Sequence, residues 1–366
     1  MSGVPVMNAS KPSSRLPTDP HAPVRPAWLA LRNETIIEPE RLIVDPHHHL
    51  WDRPGARYLA HDLLDDVTSG HRIAATVFVQ SRSMLRAQGD PAFATLGEVE
   101  FANGVAAMGA SGTYGSTQLC AGIVGAASLA LGDSVVPVLE AMLAVSGGRL
   151  RGIRNSLVWH DDPAVTSTTA RTTAHMMLDP KFQQGAARLG DYGLALDMWI
   201  YHTQLDECYA LARAIPDVIV VIDHFGGPVG VGRHASSPQA RNAMLSEWRE
   251  SMRRLAALPN TRVKLGGGGM PVLGFHLDQD DLPPTSALLA DTLRPYVETC
   301  IELFGVTRCM FESNFPVDKG MFSYHVLWNA FKRIASSASE DEKRALFSET
   351  AAATYKLDLA GQESAS

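Results

Sequence analysis

Three consecutive histidines, His47, His48 and His49, follow the apolar run Leu42-Ile43-Val44 in the segment VDPHHHLWD. Side chains on a strand alternate between faces, so His47 and His49 share one face and His48 takes the other. Two imidazoles at this spacing can converge on one divalent ion or on one substrate group. The segment lies well inside the chain, behind a buried-strand pattern, and is no tag.

Other residues able to do chemistry stand at the ends of apolar runs further along. They are Gln80 and Arg82 after VFV, Arg154 and Asn155 in GIRN, His202 after MWIY, and Asp223 and His224 in VIDH. Lys264 in VKL, and Glu312 with Asn314 in FESN, complete the set. Each has a plainer reading: Asp223 only orients His224, His202 begins a helix, and Lys264 pairs with a structural carboxylate. Arg154 stands out because a guanidinium at such a place grips a carboxylate with two parallel hydrogen bonds.

The elements that must position these groups alternate between strand-like and helix-like patterns, which is the signature of parallel strands joined by crossover helices. Eight strand candidates begin at Arg41, Ile73, Leu119, Arg149, Gly193, Asp217, Thr261 and Thr307. Eight predicts a closed α/β barrel, a (β/α)8 or TIM barrel, in which the C-terminal ends of the strands carry the chemistry. Between them, DSVVPVLEAMLAV reads as a helix capped by Asp133, and TQLDECYALARAI as a helix stopped by Pro216. A doubly wound open sheet is the rival, but the one glycine run, Gly266 to Gly269, lacks the spacing of a phosphate loop and reads as a mobile loop beside the barrel mouth. Residues 1–40, rich in proline and polar side chains, predict an extended N-terminal arm without chemistry of its own that crosses a surface or a subunit boundary. Residues 41–358 form a single barrel domain and 359–366 a C-terminal tail.

Composition narrows the partners. The 366 residues are 45% hydrophobic and 19% charged with a net charge of −7, and no basic tract offers a nucleic-acid surface. The four cysteines form no Cys-x-x-Cys pair, which fits a reducing cytoplasm better than a disulfide framework. The most apolar stretch, from Leu119, is too short to span a bilayer. The expected partner is therefore a small anionic molecule, and the arm allows a homo-oligomer.

The segments DPHHHLWD, GIRN, VIDHFGGP and CMFESNFPVD, in this order, resemble the amidohydrolase-related family that includes 2-pyrone-4,6-dicarboxylate hydrolase and the sugar-acid lactonases. The resemblance covers roughly Leu42 to Leu357. It implies a distorted (β/α)8 barrel that hydrolyses a lactone, with the family's His-x-His on His47 and His49, its sixth-strand histidine on His224 and its substrate-binding arginine on Arg154. Gln80, Arg82, His202 and Asp318 join Arg154 as expected substrate contacts. His47, His49 and His224 are the expected ligands of one zinc-like ion, although members of the family differ in needing a metal and the site works with an ion or with none.

One departure matters. The family ends its eighth strand with Ser-Asp-x-Pro, where this chain has Ser313-Asn314-Phe315-Pro316, and an amide cannot serve as a carboxylate base. Glu312 is the expected replacement and Asp318 the second candidate. The expectation is a hydrolase that opens a small carboxylated lactone or related cyclic ester. The alternatives are a metal-dependent non-oxidative decarboxylase, which needs no activated water, and a binding barrel without catalysis.

Overall fold

The computed structural model describes residues 20–168 and 172–360. The first nineteen residues of the expected arm and positions 361–366 of the expected tail lie outside these. The eight expected strands are β1 (Ile43–His48), β2 (Ile73–Val79), β3 (Gln118–Gly125), β4 (Leu150–Ser156), β5 (Ala195–Trp199), β6 (Val220–Ile222), β7 (Thr261–Leu265) and β8 (Cys309–Phe311). They pair in parallel in simple chain order from β1 to β8. The residues after β8 return to β1: Asn314 N–H donates to His47 O at 2.9 Å, and His49 N–H to Phe315 O at 2.7 Å. The sheet is thereby closed into a (β/α)8 barrel, with helices such as Leu96–Ala110, Pro238–Ala256 and Ser286–Phe304 packed outside it.

Strand alternation sorts the side chains. Ala75, Val77, Val79, Val124, Ala195, Val221 and Met310 form an apolar cluster with Val44, Ala351 and Tyr355. On β5, Asp197 continues the face of Ala195, and after β8 Glu312 continues that of Met310. The floor of the barrel is thus apolar, and its upper layer carries charge. On β1 the pairing with β2 shifts register between Asp45 and His48, and such a bulge re-aims the side chains beyond it.

Several local expectations change. Asp133 does not cap a helix: it lies in a 3-10 segment, Leu129–Val135, and accepts hydrogen bonds from Gln184 and Arg188, while the helix starts at Val136 with no side-chain cap. The helix before Pro216 ends at Ala214 as its sequence predicts. Gly266 to Gly269 is not a mobile surface loop but buried backbone. Gly267 has φ +77°, and a Cβ there would stand 2.6 Å from His224 Nδ1. A side chain at Gly266 would meet Glu312 Cγ at 2.4 Å. Glycine is required because the backbone itself passes against the site.

The described part of the arm lies on its own barrel. A short helix, Pro26–Leu29, is held by Arg25 Nη2 donating to Asp278 O at 2.6 Å and Trp28 Nε1 to Asp280 O at 3.2 Å. Lys332 Nζ donates to Glu38 O at 2.8 Å. Among the described residues no helix is long and apolar enough to cross a membrane.

Candidate active site

His47, His49 and His224 meet at the C-terminal end of the barrel. Ring centroids lie 4.9 Å apart for His47 and His49 and 4.7 Å apart for His47 and His224. His48 faces away, with Nε2 3.0 Å from Thr76 Oγ1. His224 reaches the site because the chain leaves β6 through two consecutive non-glycine residues of positive φ, His224 at 55° and Phe225 at 56°. That conformation is costly for such side chains and is maintained by the surrounding packing.

Glu312 stands between two of these rings. Its Oε1 lies 2.7 Å from His224 Nδ1 and its Oε2 2.7 Å from His47 Nδ1. The first contact is a hydrogen bond. Oε2 accepts none from the described residues. Burial pushes the Glu312 carboxyl up to about 8, against the opposing pull of Lys264, and lowers His224 to about 3.

Proton positions follow from the partners. His49 Nδ1 lies 2.7 Å from Val79 O, an acceptor only, so His49 carries its hydrogen on Nδ1 and presents a lone pair on Nε2. That Nε2 is 3.3 Å from His47 Nε2. Below them Lys264 is fully buried, with Nζ 2.6 Å from Asp197 Oδ2, 3.4 Å from Asp223 Oδ1 and 3.3 Å from His47 Nδ1. Burial opposes the Lys264 charge, but Asp197, Asp223 and Glu312 outweigh it and raise its pKa. Tyr355 donates to the same Asp197 oxygen at 2.7 Å.

The expected substrate residues separate into groups. Arg154 is buried; Nη2 donates to Gln80 O at 2.6 Å and Nη1 lies 3.3 Å from His47 Nε2. Arg154, Gln80, Arg82, His49, His224 and Asn314 all line a cavity of about 500 Å³ at the barrel mouth, together with Trp51, Arg53, Ser167, Trp199, Met270 and Val317. His202 is not in that lining: its Nδ1 accepts from Val229 N–H at 3.2 Å and its ring packs on His234. Asp318 is also outside it, fully buried and bound to Asn314 Nδ2 and to Gly269 N–H. The positions of these two suit holding loops and not touching substrate.

The arm, expected to carry no chemistry, supplies Pro20 and His21 to the cavity wall. Asp197 and Trp199 are site residues that sequence reasoning missed. A carboxylate interrupting the apolar run GLALDMWI was the available signal for the first.

A metal fits a somewhat different set from the expected one. Ligand atoms of His47, His224 and Glu312 lie within 4.8 Å of one another, and the unbonded Glu312 Oε2 beside a ring nitrogen calls for a proton or a cation. Glu312 thus joins His47 and His224 in a set of residues able to hold an ion.

The family model described as amidohydrolase matches residues 44–357. A protein named "Uncharacterized protein y4mH" from Sinorhizobium fredii is 32% identical over 337 residues, 86% of this chain and 98% of its own length. An L-fucono-1,5-lactonase from Burkholderia multivorans is 30% identical over 216 residues, 58% of this chain and 64% of the lactonase. A crystal structure of an amidohydrolase from Burkholderia multivorans with bound zinc is similar with a TM-score of 0.64 at 25% identity, covering 87% of this chain and 100% of that one.

Proposed function

Because the chain belongs to the amidohydrolase family and is a hydrolase, we propose that it opens a small carboxylated lactone by water attack at the C-terminal mouth of the barrel. The observation that carries this reading is the His224–Glu312 pair. With Nδ1 bonded to Glu312, His224 keeps its lone pair on Nε2, and the ring lines the cavity. That nitrogen takes a proton from water as the water oxygen adds to the lactone carbonyl carbon.

Burial pushes the Glu312 carboxyl up to about 8, and in its ionised form it accepts the Nδ1–H hydrogen bond that leaves the His224 Nε2 lone pair free, so turnover follows Glu312 ionisation. The proton then passes to the ring oxygen as the carbon–oxygen bond breaks, leaving a hydroxy acid. Arg154 and Arg82 give the cavity a positive lining that draws in a carboxylate. The lactonase name of one relative supports a lactone as the substrate, while the carboxylate rests on the arginines of the cavity. Were a divalent ion held by His47, His224 and Glu312, it would supply Lewis-acid polarisation of the carbonyl, and His224 would serve as a ligand in place of its role as base.

The test is a pH-stat assay of the purified protein on γ- and δ-lactones with and without a carboxylate substituent, each with and without chelator. One proton released per lactone consumed is expected. Release of carbon dioxide from an aromatic acid, with no lactone turnover, would replace this reading with the decarboxylase. Lactone binding without product would replace it with the inactive barrel.

A further inference from the structure

The family match begins at residue 44, yet the cavity wall includes Pro20 and His21, more than twenty positions upstream. Their place is built into the fold. Ala22, the next residue, is buried, and a Cβ on Gly320 would come within 2.2 Å of Ala22 O. The backbone of the arm therefore rests directly on the loop after β8. A few residues later, Arg25 and Trp28 fasten the arm to the carbonyls of Asp278 and Asp280.

Immediately before these anchors the His21 ring lies nearly parallel to Trp51, with 9° between the planes and centroids 6.4 Å apart. Trp51 in turn stacks on His49 at 5.6 Å. A continuous row of rings runs from the arm to the histidine cluster.

From this placement we infer that His21 is a substrate-contacting specificity residue: the arm forms one wall of the binding cavity and limits the size of the ring substituent a lactone can carry. The inference rests on the cavity being the substrate site proposed above. A flat imidazole beside an indole offers an apolar face with a polar edge. It suits the hydroxylated carbon substituent of a lactone, while the carboxylate sits toward Arg154, which lines the same cavity.

The test compares an unsubstituted carboxylated lactone with one bearing a two- or three-carbon hydroxylated chain. Binding is read from the fluorescence of Trp51 and Trp199, which line the cavity, and turnover is read in parallel. His21→Ala removes the wall, and the binding preference for the bulkier lactone is expected to rise about 10-fold, the scale of one or two methylenes in a shaped pocket. His21→Trp is expected to lower it. Gly320→Ala pushes the arm off the barrel without entering the cavity and is expected to act in the direction of His21→Ala.

A preference that changes less than about twofold in all three variants overturns the inference. A wild-type protein that binds the lactones with these shifts but hydrolyses none overturns the hydrolase reading alone. One that binds no lactone overturns both.

Discussion

The Asn314 side-chain amide donates to Asp318 Oδ1 over 2.8 Å, and both side chains are buried. The second Asp318 oxygen accepts the Gly269 N–H at 2.9 Å. Asn314 is thus part of a neutral-to-carboxylate clasp between the loops after β7 and β8. Asn314→Asp places two carboxyls at hydrogen-bond distance without a cation, so one of them must hold a proton or the clasp opens. Thermal denaturation at pH 7 is expected to show a lower Tm, and turnover is expected to fall. Adding Asp318→Asn restores one donor between them and is expected to recover most of the Tm.

Glu312→Gln keeps the size of the side chain and removes the ionised carboxylate that accepts from His224 Nδ1. Turnover is expected to fall by about 10² to 10⁴, the scale for losing general acid–base catalysis. The circular dichroism spectrum is expected to match that of the parent. A variant within twofold of the parent would show that the carboxylate has no part in proton transfer.

Lys264 is the cation that balances Asp197 and Asp223 beneath the histidines. Lys264→Met fills similar space without charge and leaves buried carboxylates uncompensated. The expected loss is about 3–5 kcal/mol, the range for breaking a buried ion pair from one side. Urea denaturation measures it, and Lys264→Met with Asp197→Asn is expected to be more stable than Lys264→Met alone.

His71 provides a pH dependence remote from the histidine cluster. Its Nε2 donates to His325 O at 3.0 Å, while Nδ1 accepts from Lys332 Nζ at 2.8 Å, an arrangement that only the neutral ring can make. Burial, with Lys332 adding to it, lowers its pKa from 6.5 to about 3. The unfolded chain therefore binds the extra proton in this window. The stability contributed is complete above about pH 6.5 and is lost as pH falls toward 3. His71→Gln is expected to flatten the stability profile between pH 6 and 4 by up to about 1.4 kcal/mol per pH unit. An unchanged slope would mean that His71 is not the group that titrates there.

The eight strands and the order of the histidines could be read from apolar runs and period-two spacing, because both are local properties. The strand ends could not. β8 reads through Ser313 in sequence but stops at Phe311, since the residues beyond it are shaped by contacts with β1 and by Asn314 at φ 55°. Asp197 was missed for a related reason: its partners, Lys264 and Tyr355, lie 67 and 158 positions away. Pairings of that range belong to the closed barrel and leave no spacing to recognise. The arm at the cavity wall is the same case, a contact made by wrapping and not by pattern.

The join between β8 and β1 is stitched by residues that also bear on the site: Asn314 N–H to His47 O, and His49 N–H to Phe315 O. The barrel therefore cannot breathe at this seam without moving His47 away from Glu312, so local opening and loss of a working site are one event. Those two amides are its natural reporters. Their hydrogen-exchange protection should rise together when a ligand fills the cavity, and should do so more than that of amides elsewhere in the sheet.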